Sequence, residues 1–399
     1  MECVSQLSVG WERCDWNEPE TPMSRRERAA AKGSYLASVP PEISRMAFDI
    51  PSEVAAAAED ALVEISRFDA ELAASLPRAD GELAPLAVVL LRTESASSSQ
   101  IEGVTAGAKA LAIAALNQSS GQNARMVAAN VEAMQKAIDM ADDLSTDSIL
   151  AAHRALMHDQ VYAQPGRLRD AQVWIGGGAT PYTATFVPPR HERVPALMDD
   201  LVAFCTRTDI PVLSQVSIAH AQFETIHPFN DGNGRTGRTL VHAMLRRSGV
   251  TRRLTVPVSA GLLVDTEAYF AALGSYRDGD PAPIITQFSR ASFAAVGNGR
   301  RLVADLTGIF AEWQDTLPSR RGSAARRLLP HLLSQPAVTV RHVQQYLNVS
   351  QPAAQRAIDQ LVEVAILKQV STGKRDRVWI ARDVINALDK FATRAGRRG

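Results

Sequence analysis

The sequence predicts a mostly α protein with one β-hairpin, followed by a small C-terminal winged helix-turn-helix module. Three observations carry that expectation. Apolar residues recur at helical spacing through most of the chain up to about residue 315. Before residue 330, β-rich alternation is concentrated in one stretch, Gln172 to Pro189, broken by a Gly- and Pro-containing turn. From residue 301 onward about 16 Lys and Arg stand against about 8 Asp and Glu, and a helix, a turn, a helix and two short strand-like runs follow one another there.

Taken in order, residues 1–40 are charged and aperiodic and are expected to be a tail, partly disordered up to about residue 35. Ser52 is placed to cap a long helix over 51–75. Helical spacing continues over 84–97, 105–117, 122–142, 146–158 and 191–207. Ser214 is a cap candidate for the next helix, where Val216, Ala219, Phe223 and Ile226 repeat at helical spacing until Pro228 stops them. Leu240, Val241, Met244 and Leu245 form the stripe of a following helix that Gly249 ends. Further helices are expected over 266–278 and 281–315. The domain reading is an N-terminal helical region over 41–120, a core over 121–300, a linker helix over 301–325, the winged helix over 326–385 and a basic tail over 386–399.

Composition bounds the protein class. Across 399 residues, 46% are hydrophobic, enough for a sizeable core in two or three domains. Lys plus Arg and Asp plus Glu both number 43, so bulk charge points to no particular partner. The 3 cysteines, Cys3, Cys14 and Cys205, do not cluster, which argues against a disulfide framework or zinc site and for a cytoplasmic setting. No apolar run has membrane-spanning length, and the acidic start lacks a signal peptide's apolar segment.

The chemistry concentrates between the two central helices, in His227-Pro-Phe-Asn-Asp-Gly-Asn-Gly-Arg-Thr-Gly-Arg238. Gly232 and Gly234 around Asn233 allow a tight turn whose N–H groups, with the start of the next helix, suit phosphate. Arg235 and Arg238 share a helix face and suit a di- or triphosphate. Asp231 beside such a nest is reasonable where Mg²⁺ bridges carboxylate and phosphate. His227 has the pKa range suited to accepting a proton, whereas His220 and His242 read as packing or surface residues.

This segment resembles the Fic family motif, His-x-Phe-x-(Asp/Glu)-Gly-Asn-Gly-Arg-x-x-Arg, at every specified position. The resemblance implies a Fic-type helical core and transfer of AMP from ATP, the co-substrate, to a Ser, Thr or Tyr hydroxyl of a protein, self-modification included. It implies His227 as general base, Phe229 as anchor and Asp231 as the Mg²⁺ ligand. Gly232, Asn233 and Gly234 would bind the α- and β-phosphates with Arg235, and Arg238 the γ-phosphate. Ser98-Ser-Gln-Ile-Glu-Gly103 matches the family's inhibitory signature, with Ser98 and Glu102 on one helix face and Gly103 ending it. Glu102 would occupy Arg238 in place of the γ-phosphate. The stretch from Val173 to Val187, with Val173, Trp174, Ile175, Phe186 and Val187, looks like the family's flap, which registers the target by strand addition. Tyr269 is a candidate wall of the adenine pocket, with a core role as the alternative.

At the C-terminal end, Thr339–Leu347, a turn at 348–350 and Gln351–Val362 form the helix-turn-helix. Ile366–Val370 and Arg377–Ile380 flank a turn at Gly373 and Lys374 as the wing. Gln351, Gln355 and Arg356 are candidates for base edges, and Lys374, Arg375 and Arg377 for phosphates. Asp359 and Glu363 on the same helix oppose DNA and favour protein docking or a homodimer. Two alternatives to the transferase stay open: a DNA-binding regulator using the Fic module as nucleotide sensor, and an enzyme that removes AMP.

Overall fold

The computed structural model describes residues 7–15, 33–75, 83–116, 121–177, 180–318, 320, 322–371 and 377–396. In chain order the elements are β1 (Gly10–Asp15), β2 (Ser34–Val39), α1 (Ser52–Ser75), α2 (Leu83–Ile101), α3 (Ala108–Ala114), α4 (Gln122–Asp139), α5 (Thr146–Met157), α6 (Val194–Cys205), α7 (Val212–Ile226) and α8 (Asn233–Arg247). There follow α9 (Val258–Leu262), α10 (Thr266–Arg277), α11 (Ala282–Thr316), α12 (Ala324–Ser334), β3 (Ala337–Val338), α13 (Val340–Leu347), α14 (Gln351–Glu363), β4 (Lys368–Gln369), β5 (Trp379–Ile380) and α15 (Arg382–Arg394). The protein is mostly helical, with small antiparallel sheets. Among the described residues no helix is long and apolar enough to cross a membrane.

The chain divides into two compact units. The first comprises residues 1–62, 133–249 and 266–289. At its centre lies α7, in which every residue from Leu213 to Ile226 is buried. Helix α6 packs on it from one side and α8 from another, and α5 lies against α8. Ser214 sits buried inside α7 and caps nothing, because the helix begins earlier, after Pro211. Gln222, one of the polar groups that α7 buries, is held at both ends of its amide. Gln222 donates to the Pro41 carbonyl at 2.8 Å and accepts from the Tyr276 hydroxyl at 2.9 Å. Asp200 on α6 accepts from the N–H groups of Ile43 at 2.6 Å and Ser44 at 3.1 Å, fixing the segment that leads into α1.

The expected N-terminal tail is in part a hairpin. β1 and β2 pair antiparallel, Trp11 opposite Ser38 and Arg13 opposite Leu36. Trp11 meets Phe186 edge-on at 6.1 Å, and the Ser38 N–H donates to the Val187 carbonyl at 3.0 Å. Arg193 grips Glu12 with two nitrogens at 2.8 and 3.0 Å. Pairing with each other and contacts to Phe186, Val187 and Arg193, not alternation in the sequence, hold these strands.

The second unit comprises residues 63–132, 250–265 and 290–399. Helix α2 buries an unusually polar surface, including Glu94 and Ser95. Glu94 accepts from the N–H of Ser259 at 2.8 Å and from its hydroxyl, which ties α2 to the first turn of α9. Asn130 donates to the Ser95 carbonyl at 2.9 Å. Toward the C-terminus, α13 and α14 lie in sequence between β3 and β4 of a sheet of order β3-β5-β4, and Asn348 in the left-handed region (φ 51°) makes the turn between α13 and α14. Each strand of this sheet is only two residues long. The expected wing turn at Gly373, Lys374 and Arg375 lies outside the described residues.

Two boundaries move from expectation. The linker helix drawn over 301–325 is the end of α11, which stops at Thr316, and α12 starts at Ala324. The basic tail drawn from 386 is mostly α15, whose Val384, Ile385, Ala387 and Phe391 are buried, although Arg397 and Arg398 lie outside the described residues. Ile385 joins Ala337, Val378, Ile380 and Ala112 in one apolar cluster, so α3 contributes to the core of the C-terminal sheet. Gln335 ties the same elements by donating to the carbonyls of Ala112 at 2.7 Å and Ala337 at 2.9 Å.

Candidate active site

The loop from His227 to Gly232 joins α7 to α8 inside the first unit. His227 ends α7 in the left-handed conformation (φ 51°, ψ 62°), its N–H bonded to the Phe223 carbonyl at 2.9 Å. That conformation costs a residue with a Cβ about 1–2 kcal/mol, so surrounding contacts have to enforce it. Arg169, 3% exposed, supplies them. Its Nε donates to the His227 carbonyl at 2.9 Å and its backbone N–H to the Pro228 carbonyl at 2.9 Å. The same guanidinium donates to the carbonyls of Ala171 at 3.0 Å and Pro189, which pins both ends of the flap stretch to the loop.

Phe229 is fully buried and stacks on His153 with ring centroids 3.7 Å apart and planes 4° from parallel. Its backbone N–H and carbonyl are both held by the Asn233 side chain at 2.8 Å. Asn233 therefore spends its side chain on closing the loop, and only its backbone N–H remains to address an anion. His153 bonds the Asp231 carbonyl through Nε2 at 3.0 Å and accepts the Gly166 N–H on Nδ1 at 3.0 Å. Burial pushes its pKa down to about 4, which keeps the ring neutral.

Gly232 begins α8 at φ 79°, where an added Cβ would meet the Met157 sulfur at 2.9 Å. No side chain caps α8. Its first N–H groups and its dipole are therefore directed at whatever occupies the turn. Arg235 and Arg238 are each 2% exposed, so both guanidiniums sit within the wall instead of reaching into water. Asp231 stays 40% exposed at the side chain, its Oδ1 accepting the Gly232 N–H at 2.6 Å and lying 3.9 Å from Arg235. Its Oδ2 lies 2.9 Å from the hydroxyl of the exposed Tyr162.

One-fifth of the His227 side chain is exposed, and Nδ1 lies 3.9 Å from a Glu224 oxygen, too far for a hydrogen bond. Burial, helped by the charges of Arg169 and Arg277, depresses its pKa to about 3. The ring is neutral near pH 7 and has a nitrogen able to take a proton. Arg277 contacts the site from α10, stacking over Phe186 at 3.9 Å and reaching the Glu224 carbonyl at 3.4 Å.

The structure thus gathers His227, Phe229, Asp231, Gly232, Asn233, Gly234, Arg235 and Arg238 into one loop and helix start. The flap stretch lies beside them but is less regular than a hairpin. Only Ile175 and Phe186 pair, as a single antiparallel bridge with the Ile175 N–H on the Phe186 carbonyl at 2.8 Å. Tyr269 takes a core role: it is 1% exposed and its hydroxyl bonds His220 at 2.8 Å. Ser98, Glu102 and Gly103 belong to the second unit. Ser98 is buried near the end of α2, Glu102 is exposed just beyond it, and Gly103 at φ 76° closes the turn. Sequence reasoning missed His153, Arg169 and Arg277; a lone histidine or arginine in a helix or loop carries no local mark of the loop it braces. Of the candidate base readers, Gln355 is occupied with Asp359 at 2.7 Å and Arg377 at 3.1 Å.

Comparison with known proteins agrees with this geometry. The Fic/DOC family model matches residues 143–245. A protein adenylyltransferase fic-1 of Caenorhabditis elegans is 34% identical over 156 residues, 39% of this chain and 28% of that one. A protein adenylyltransferase Fic of Nematostella vectensis is 28% identical over 156 residues, 38% of this chain and 33% of that one. The chain thus spans about a third or less of the length of these curated relatives. The crystal structure of a Fic family protein from Desulfovibrio desulfuricans G20 shares the fold, with a TM-score of 0.53 at 22% identity over 84% of this chain and 97% of that one. The loop, the helix start and the neutral histidine between them, lying within the matched stretch, identify residues 143–245 as a Fic domain of the Fic/DOC family.

Proposed function

We propose that the protein is an adenylyltransferase that moves AMP from ATP to a protein hydroxyl. The observation that carries this reading is the placement of His227, held in the left-handed conformation by Arg169 beside a helix start with no side-chain cap and free to present its N–H donors. A pure nucleotide sensor would need the donors but no base. In the proposed reaction His227 takes the proton of a Ser, Thr or Tyr hydroxyl as its oxygen bonds the α-phosphorus. The bond from that phosphorus to the bridging oxygen breaks and pyrophosphate leaves. The turn at Gly232, whose own N–H goes to Asp231 Oδ1, and the backbone N–H groups of Asn233 and Gly234, with Arg235 and Arg238, hold the phosphates in line.

Mg²⁺ fits this donor set. Asp231 offers a partly exposed carboxylate next to the phosphate site, and Mg²⁺ is commonly held by one or two carboxylates plus substrate phosphates. Bound there, the ion would neutralise charge on the phosphates. Its approach requires the exposed Tyr162 to release Oδ2.

The flap is proposed to register the target by strand addition. The Phe186–Val187 arm is bonded on one side to Ile175 and on the other to Ser38, so the Val173–Ile175 rim is the better edge for an incoming strand. Ser98, Glu102 and Gly103 are proposed to restrain the enzyme, Glu102 competing with the γ-phosphate for Arg238. The segment from α12 to β5 follows winged-helix order and is proposed as a docking module, since its second helix carries Asp359 and Glu363 and already engages Gln355. Transfer of label from α-labelled ATP to protein tests the activity. A full-length protein with Mg²⁺ and Glu102→Gly that transfers no label to itself or to any lysate protein would overturn the reading.

A further inference from the structure

A cavity of about 870 Å³ lies wholly within the second unit, bounded by α2, α12 and α13. That volume falls in the range of sites for small organic ligands, roughly 300–1,000 Å³. Its lining includes Arg92 from α2, Arg326, Arg327 and His331 from α12, and His342 and Tyr346 from α13. None of the described residues lining it is Asp or Glu.

Arg92 and Arg327 are held in place by backbone and amide oxygens. Arg92 donates to the Ser334 carbonyl and to Gln335 Oε1 at 3.1 Å, and Arg327 donates to the Leu347 carbonyl at 3.0 Å. Burial lowers the pKa of Arg92, and among the described residues that line the cavity no carboxylate stands beside it. A guanidinium withdrawn from water without a counter-charge is costly, and an anion entering beside it would recover that cost. His331 and His342 face each other with Nε2 atoms 2.8 Å apart, both depressed in pKa by burial first, with the Arg92 charge contributing. Such a pair could suggest a metal, but three guanidiniums around it would repel a cation. Tyr346, about half exposed, stacks on His331 at 3.7 Å, which extends a flat aromatic surface along one wall.

We propose that this cavity binds a phosphorylated small molecule of nucleotide size, its phosphate against Arg92 and Arg327 and its ring against the Tyr346–His331 stack. The site is distinct from the helix start of the Fic domain. Three unlike features support it: positive charge with no carboxylate among the described lining residues, a planar stacking surface and adequate volume.

The test follows the imidazole resonances of His331 and His342 by NMR in the full chain during titration with AMP, with adenosine and inorganic phosphate as separate arms. AMP is expected to shift both sets saturably. Arg92→Gln and, independently, the more exposed Arg327→Gln should each weaken that binding about tenfold, the scale of one lost charge-assisted hydrogen bond. Asp231→Ala should leave it unchanged. The proposal is overturned if AMP produces no saturable shift, or if adenosine or inorganic phosphate alone binds as tightly as AMP. Unaltered affinity in both arginine variants would also overturn it. Because the resonances report on the cavity itself, failure here leaves the proposed AMP transfer untouched, and failure of transfer leaves this site untouched.

Discussion

Arg169→Met is the sharpest test of how the catalytic loop is built. Methionine keeps much of the side chain's length but removes donors from the carbonyls of His227, Ala171 and Pro189. A buried carbonyl left without a donor costs about 1–3 kcal/mol; only the Pro189 carbonyl is buried, the His227 bond is part-buried and Ala171 is exposed and can turn to water, so a total loss of about 2–4 kcal/mol is expected. The left-handed His227 then loses its main restraint. A displacement of about 1 Å at a reacting group lowers turnover about 10²-fold. The proposed cradle for ATP resides in α8, to which the hydrogen bonds of the Arg169 guanidinium do not run, so nucleotide affinity should change little. Urea unfolding gives the first quantity, label transfer the second and nucleotide titration the third. Arg169→Lys should recover little, since an ammonium cannot bridge several diverging carbonyls as the planar fork does. A variant that is destabilised yet turns over at the original rate would refute the idea that Arg169 positions the base.

His227→Ala should abolish label transfer while leaving nucleotide binding in place, and loss of both together would count against its role as base. Glu102→Gly should raise transfer strongly in the same assay; equal labelling by variant and parent would remove the inhibitory assignment. Gly232→Ala should destabilise the chain by about 1–2 kcal/mol through its backbone conformation and weaken nucleotide binding, as read by urea unfolding and titration. Acid should destabilise the first unit. His220 and His227, with pKa depressed to about 3, and His153, to about 4, stay neutral in the folded state while the unfolded chain takes up protons below its own value of about 6.5. Stability is therefore full above about pH 6.5 and falls toward pH 3, by about 2 kcal/mol per histidine at pH 5. An unfolding midpoint that does not move between pH 7.5 and pH 5 would contradict the buried neutral rings.

Much of this architecture was legible because its signals are local. The helices over 146–157, 212–226, 266–277 and 282–316 lie within a few residues of where apolar spacing and prolines put them. The twelve residues from His227 to Arg238 are contiguous, so their shared site needed no knowledge of the rest of the chain. What stayed hidden depends on distant partners. β1 shows no clean alternation, and its pairing with β2 follows from docking on the flap. α15 was hidden because its apolar stripe, Val384, Ile385, Ala387 and Phe391, finds its partners far away in the chain while Lys390 and Arg394 stand out locally. His153 and Arg169 act through backbone carbonyls more than 50 positions away along the chain, a relation that no local pattern encodes.

The insertion of α3 among Ala337, Val378, Ile380 and Ile385 makes the C-terminal segment a poor candidate for removal by truncation. A shortened chain ending near residue 320 would expose Ala112 to solvent and strip its carbonyl of the Gln335 donor, only ten positions beyond Glu102. Changes in activity after such a deletion would therefore mix loss of a docking module with unravelling of the peptide next to the proposed brake. Point substitutions on the outer face of α14 separate the two.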